Sequence, residues 1–274
     1  MASIRLAAIY VARQDLDYLE SSVRSVLPFV ETILIGVPGG HEIDRESLQA
    51  ACATNSDVVG SQPKVTVGVR GAVEQASGRT SIRCIEGAWK DQAECANALL
   101  KELLAQGITH VLLLEPEDIL SSRDLADMLL FVSEHPEAGQ FLVRCLDYWK
   151  SPSYRIEPPD PEPRVLISRI TERTRIAAPN TTNESPVISL PEAAGSLHRF
   201  AFASPSRIVK RRVALMHISQ DIRQRWETEV WQAWNGQRHQ RNLRPVSPER
   251  FRAAQRINPG QSAAGSLQPP LCAT

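Results

Sequence analysis

Short apolar runs alternate with amphipathic helical stretches in the first half of the chain, and this alternation limits the possible folds more than any other feature. Strand-like runs lie at residues 4–11, 31–37, 108–114 and 140–145, and stretches with helical spacing of apolar residues separate them. Elements in this order form a mainly parallel sheet with helices on both faces. The sequence therefore predicts an α/β fold.

Polar residues mark where the predicted helices begin. Asp15 precedes one helix as an N-cap, and Ser121 or the serine after it begins another. Asp91 with Glu94 three residues later resembles a capping box. Gly107 is the predicted stop of the helix that Asp91 starts.

The strand predicted at residues 108–114 breaks directly into three carboxylates around a proline: Glu115, Pro116, Glu117 and Asp118. In an extended segment alternate side chains share a face, so Glu115 and Glu117 are predicted to point the same way. Sites in α/β sheets lie at the carboxyl ends of strands, and hard divalent cations prefer oxygen ligands. Two interpretations remain open: a cation site that binds a substrate phosphate, or a solvated acidic turn.

Bulk composition indicates a globular protein without a membrane span. The 31 basic residues balance the 31 acidic ones, and 42% of the chain is hydrophobic. No apolar run approaches the length of a membrane span and no signal sequence is apparent, so we expect a cytoplasmic protein. The five cysteines show no CxxC spacing, which favours reduced core thiols without a zinc site.

The pattern changes after residue 150, which predicts three regions: an α/β core at 1–150, a smaller region at 151–256 and a flexible, uncharged tail at 257–274. Residues 205–256 hold twelve Lys or Arg against four Asp or Glu. This basic segment, with a helix predicted near residues 221–235, is either ordinary solvated surface or a surface for anionic phosphates.

Three motifs follow one another in an order that resembles the GT-A type glycosyltransferases, in particular the inverting, family 2-like group. They are the segment at 9–31 ending in SVLPFVE, the stretch WKDQAECANAL at 89–99, and LLEPED at 113–118. The resemblance covers roughly residues 4–150. It implies a GT-A fold that binds a nucleotide-sugar donor and transfers a hexosyl or pentosyl group to an acceptor hydroxyl.

The resemblance also implies a divalent cation, Mn or Mg, that neutralises the departing diphosphate. Glu117 is the first choice for a direct ligand, and Glu115 either binds through water or holds the ribose of the donor. Asp118 assists. His217 occupies the place of a late histidine that reaches the metal or diphosphate, although a lone His in an apolar context is as readily a core residue.

Further roles follow for the donor nucleotide and for the acceptor. Asp147, beside two aromatic residues, is the candidate base that takes the acceptor proton, or else an ordinary loop-start aspartate. The residues assigned to the donor are Arg13, Gln14, Asp15, Trp89 and Asn97. Three of them have a structural alternative: a helix cap for Asp15, core packing for Trp89 and a bond to a neighbouring loop for Asn97.

Departures from the family pattern keep other functions open. The second strand ends in Gly36–Gly40 without the family's aspartate, and Ala96 replaces an arginine. A non-catalytic GT-A-like binding protein is therefore a rival, as is a nucleotidyltransferase. The acceptor is a glycan, a protein or a modified DNA base. The last is suggested by the aromatic residues Trp226 and Trp234 within the basic segment, which share an apolar helix face with Val230. Core packing is the alternative role of this helix face.

Overall fold

The structure, a computed structural model, divides into two compact units. It describes residues 4–12, 16–38, 45–57, 64–67, 73–76, 80–178, 181–203, 224, 227–234 and 253–257. The first unit comprises Met1–Val143 and Pro163–Ser196, and the second comprises Arg144–Glu162 and Leu197–Thr274. Neither unit is continuous in sequence, which differs from the predicted division at residue 150. Arg13, Gln14, Asp15, Trp226, His217 and the tail from residue 258 lie outside the described residues.

Sixteen strands and four α-helices make up most of the described secondary structure. The helices are α1 (Leu19–Val26), α2 (Arg45–Asp57), α3 (Gln92–Ala105) and α4 (Ser122–Glu134). The strands are β1 (Leu6–Val11), β2 (Thr32–Pro38), β3 (Lys64–Val67), β4 (Val73–Ala76), β5 (Ser81–Gly87), β6 (His110–Leu114), β7 (Asp118–Ile119), β8 (Gln140–Val143), β9 (Cys145–Trp149), β10 (Tyr154–Glu157), β11 (Arg164–Arg169), β12 (Ile176–Ala178), β13 (Thr181–Thr182), β14 (Val187–Ser189), β15 (Leu197–Phe202) and β16 (Ala253–Arg256).

A seven-stranded sheet in the order β14-β8-β11-β6-β1-β2-β5 forms the centre of the first unit. The neighbours β5, β2, β1 and β6 run parallel, and β14 is parallel to β8. Strand β11 is antiparallel to both of its neighbours, β6 and β8. The prediction of an α/β fold with a mostly parallel sheet is confirmed, and the strand that brings in the antiparallel direction comes from beyond residue 150.

Helix α3 packs on this sheet because its apolar residues lie on one face. Cys95, Leu99 and Leu103 are fully buried against residues of β1, β2 and β6. Gly36 of β2 allows the close approach, since a Cβ at this position would overlap the Cys95 sulfur. Gly36 thus has a packing role.

Helices α3 and α4 begin where the sequence predicts, because capping side chains bind the first free amides of each helix. Asp91 accepts a hydrogen bond from the Glu94 amide at 2.9 Å, and the Glu94 carboxylate accepts one from the Lys90 amide at 2.7 Å. Ser121 caps α4 through the Asp124 amide. The first helix differs: α1 begins after Tyr18, which makes no side-chain cap, because the chain first makes a turn in which the Leu19 amide donates to the Leu16 carbonyl.

The second unit contains a sheet in which β9 pairs with β10 and β15, and β10 pairs with β16. The predicted strand at 140–145 is in fact two strands, β8 and β9, that belong to different units. Trp149 and Phe202 form an aromatic core with Trp231 and Trp234 of the segment at 227–234, and Val230 packs against it. This confirms core packing for Val230 and Trp234. None of the helices in the described ranges is long and apolar enough to span a bilayer.

Replacing Asp91 with Ala is expected to lower the free energy of unfolding by about 1 kcal/mol, because the Glu94 amide loses its acceptor at the start of α3. Urea denaturation measures this change. Asp91→Ser keeps a capping oxygen and is the matched control, expected to stay close to the wild type. An equal loss in both variants would contradict a capping role.

The buried strand β6 makes stability dependent on pH through His110. Burial lowers the pKa of His110 from 6.5 to about 4, and the charge of Arg169 contributes to this lowering. Arg169 is the residue paired with His110 across β6 and β11. The folded protein therefore binds the proton less readily than the unfolded chain does.

The contribution of neutral His110 to the free energy of unfolding is expected to be fully present above pH 6.5. It falls by roughly 3 kcal/mol as the pH drops from 6.5 to about 4. The His110→Gln variant lacks this contribution. Its free energy of unfolding is therefore expected to fall less than that of the wild type over the same pH range. His135→Gln is the matched control for the loss of a histidine. Urea denaturation at several pH values measures all three proteins, and parallel curves for wild type and His110→Gln would contradict the assignment.

Candidate active site

The acidic residues form a tight turn at the carboxyl end of β6. The Asp118 amide donates to the Glu115 carbonyl at 2.9 Å, and the Glu115 amide donates to the Asp118 carboxylate at 2.7 Å. Pro116 and Glu117 are the central residues of this turn, where a proline with its fixed φ is favoured. The prediction that Glu115 and Glu117 share a face of an extended segment is therefore corrected, because the chain already turns at Pro116.

A buried ion pair links this turn to β11. The guanidinium of Arg164, the first residue of β11, lies 2.8 Å and 3.2 Å from the two carboxylate oxygens of Asp118. Asp118 is completely buried, and the same guanidinium donates to the Leu113 carbonyl at 3.4 Å. Two parallel N–H···O bonds are the strongest arrangement for this pair of groups. Asp118 therefore balances a buried positive charge.

Two buried hydroxyl groups hold the backbone of the turn against helix α1. The Ser22 hydroxyl donates to the Asp118 carbonyl and lies 3.0 Å from the Tyr10 hydroxyl. Burial raises the pKa of Tyr10, and the nearby charge of Asp118 adds to this effect. Tyr10 therefore stays protonated at neutral pH and can donate a hydrogen bond to Ser22.

The other two carboxylates differ in access to solvent. The side chain of Glu115 is 25% exposed and lies 3.9 Å from Arg164, whereas Glu117 is buried. The described ranges contain no group of three or more His, Cys, Asp or Glu residues able to hold a metal ion. Asp118 binds the guanidinium of Arg164, which also neighbours Glu115, so the Asp118 carboxylate already has partners within the protein. The assignment of Mn or Mg to Glu115, Glu117 and His217 stays a prediction.

Two residues predicted to contact the donor have structural partners. The Asn97 side chain donates to the carbonyls of Ala93 and Ile176 and accepts from the Ile176 amide, so it joins α3 to β12. This is the loop-bonding alternative, and the donor role of Asn97 gains no support. Trp89 is half-buried, packs against the core around α3, and lies over Gly87.

Asp147 lies within strand β9 and not at the start of a loop, because β9 continues to Trp149. Its side chain is 3% exposed, and the Arg199 Nε lies 3.6 Å from its carboxylate. Arg199 is also its partner across β9 and β15. A buried carboxylate beside an arginine is typical of a structural ion pair, and the role of Asp147 as a base stays a prediction.

Two residues that hold the turn in place, Arg164 and Ser22, were not predicted as part of the site. Both are polar residues at positions otherwise occupied by apolar ones. Arg164 is the charged residue that begins the apolar run ending at Ile167. Ser22 lies among the buried positions of α1. A polar residue on an apolar face needs a buried partner. The sequence does not show which partner, because Asp118 is 46 residues from Arg164.

An open hollow of about 610 Å³ lies elsewhere in the first unit, lined by Thr171, Glu172, Arg173, Asn183, Glu184 and Ser185. The adjacent residue Ile170 donates its amide to the Thr109 carbonyl, just before β6 begins. The hollow is therefore at the amino end of β6, whereas the acidic turn is at its carboxyl end.

Comparison with known proteins does not assign the chain to a family. No family model matches it, and no curated protein is significantly similar. One solved structure that resembles it weakly is the mannose-1-phosphate geranyltransferase from Thermus thermophilus, at 12% sequence identity and a TM-score of 0.31. The match covers 85% of this chain and 66% of that one. This likeness is too weak to indicate a function for the chain.

Replacing Arg164 with Met is expected to lower the free energy of unfolding by about 3–5 kcal/mol, because Asp118 is left as a buried charge without its partner. Urea denaturation measures this loss. The double variant Asp118→Asn with Arg164→Met should lose less than the sum of the two single variants.

Arg123→Met is the matched control for this experiment. Its guanidinium is 90% exposed and lies 3.8 Å from Asp127, so no measurable loss is expected. Strict additivity of the two single variants in the pair would contradict direct coupling between Asp118 and Arg164.

Proposed function

We propose that this chain transfers a sugar from a nucleotide-sugar donor to an acceptor hydroxyl, with inversion, at the carboxyl edge of its parallel strands. One observation carries the proposal: the acidic turn follows the central strand β6, and it holds the partly exposed Glu115 beside the charged group of Arg164. Ligands in α/β sheets bind at this edge. The order of the three sequence motifs supports the same function.

Sugar transfer requires groups that bind the donor and groups that stabilise the negative charge developing on its diphosphate as the glycosidic bond breaks. In the proposed site Glu115, which lies 3.9 Å from Arg164, accepts hydrogen bonds from the ribose of the donor. A divalent cation, when bound, would stabilise the departing diphosphate. Asp147 is the proposed base for the acceptor hydroxyl, with the conservative variant Asp147→Asn as its test.

A binding protein without catalysis is the second candidate, and a specific observation favours it. Asp118, which a cation-dependent transferase would use near its metal, is fully committed to Arg164 and to the Glu115 amide. The strand end at Gly36 serves packing. Such a protein would bind a nucleotide without turning it over.

Thermal unfolding with nucleoside diphosphates, each with and without Mn, tests the proposal. A ligand at 100 times its Kd stabilises the folded state by about 2.7 kcal/mol, which is a readily measured rise in Tm. Glu115→Gln is expected to weaken binding at least tenfold if Glu115 holds the ribose, in both conditions. If a cation mediates the contact, the loss appears only with Mn.

Glu134→Gln at the exposed end of α4 is the matched control and should bind like the wild type. Nucleotide-sugar hydrolysis is measured in parallel. Binding without hydrolysis favours the non-catalytic protein, and a shift with nucleoside triphosphates alone favours a nucleotidyltransferase. No response to any nucleotide under either condition overturns the proposal.

A further inference from the structure

Two cysteines that are distant in sequence meet in the first unit. Cys52 of α2 and Cys84 of β5 place their sulfur atoms 2.7 Å apart. This is about 0.7 Å longer than the roughly 2.05 Å bond of a disulfide. The two thiols therefore lie nearly at bonding distance, and only a small side-chain movement separates the reduced pair from a cross-link.

These two cysteines also differ from the other described ones in access. Cys84 is exposed on β5, the last strand of the sheet, and Cys52 is half-buried. Cys95 and Cys145 are buried, and burial raises the pKa of Cys95 to about 12. A thiol reacts as its thiolate and must be reached by its oxidant. Cys84 is thus not the core thiol that the sequence predicts.

We propose that Cys52 and Cys84 are a reversible redox site that forms an intrachain disulfide by exchange with a low-molecular-weight disulfide of the glutathione class. The Cys52 thiolate attacks one sulfur of the small disulfide, forming a mixed disulfide and releasing one small thiolate. Cys84 then loses its proton and attacks the Cys52 sulfur, which releases the second small thiolate. Two protein thiols are oxidised while one small disulfide is reduced to two thiols.

Electrostatics supports this order of steps. Contact with Cys84 lowers the pKa of Cys52, whereas the same contact and burial raise the pKa of Cys84. Cys52 is therefore the first to ionise. Cys84 keeps its proton until it attacks the mixed disulfide as a thiolate.

The cross-link would fasten helix α2 to the edge strand β5. It closes a loop that runs from Cys52 to Cys84 and contains the β3–β4 hairpin. Such a loop restricts the unfolded chain and stabilises the folded one. The site is independent of the proposed transferase, because neither cysteine belongs to the acidic turn.

The test equilibrates the full chain in glutathione buffers of increasing oxidising potential, traps free thiols with a maleimide in denaturant so that buried thiols also react, and maps disulfide-linked peptides. The expected result is that two of the five cysteines become protected, that the mapped peptide joins Cys52 to Cys84, and that Tm rises by roughly 5 °C or more. Reduction should reverse all three changes.

The single variants Cys52→Ser and Cys84→Ser should each keep a glutathione adduct on the remaining cysteine and show no rise in Tm. Cys272→Ala is the matched control and should form the same cross-link as the wild type. The proposal is overturned if all five thiols still react after treatment with the oxidising buffer. It is also overturned by persistent glutathione adducts on both cysteines, or by a disulfide mapped to another cysteine. The wild-type peptide map gives this answer even where a variant fails to fold.

Discussion

The buried ion pair between Asp118 and Arg164 determines the shape of the acidic edge. The Asp118 carboxylate accepts hydrogen bonds from the two terminal guanidinium nitrogens of Arg164 and from the Glu115 amide. One side chain therefore closes the turn and joins it to β11. Ser22 holds the carbonyl of the same residue from helix α1. Because a buried charge without a partner is costly, the positions of Glu115 and Glu117 depend on this pair remaining intact.

Local signals in the sequence predicted most of the first unit, and longer-range pairings account for the differences. The start of α3 was predictable because Asp91 and Glu94 satisfy neighbouring amides. The start of α1 was not, because a turn before Leu19 replaces the expected cap. The antiparallel placement of β11 depends on partners about fifty residues away, which no local pattern shows.

The candidate site was predictable in position but not in its bonding. The change from an apolar strand to carboxylates correctly indicated the edge at which Glu115, Glu117 and Asp118 lie. The sequence did not reveal that Asp118 binds Arg164, or that Asn97 is used by the backbone of Ile176. A side chain's capacity to bind a ligand depends on which hydrogen bonds the fold has already taken, and those partners are remote in sequence.

The position of β11 has a consequence for how the chain is made. Strand β6 gains its second neighbour only when residues 164–169 arrive, after the segment Arg144–Glu162 of the other unit has been synthesised. A fragment that ends near residue 150 would leave an apolar strand with a row of unpaired amides and carbonyls. Open edges of this kind recruit strands from other chains, so shortened forms of this protein are candidates for aggregation during synthesis.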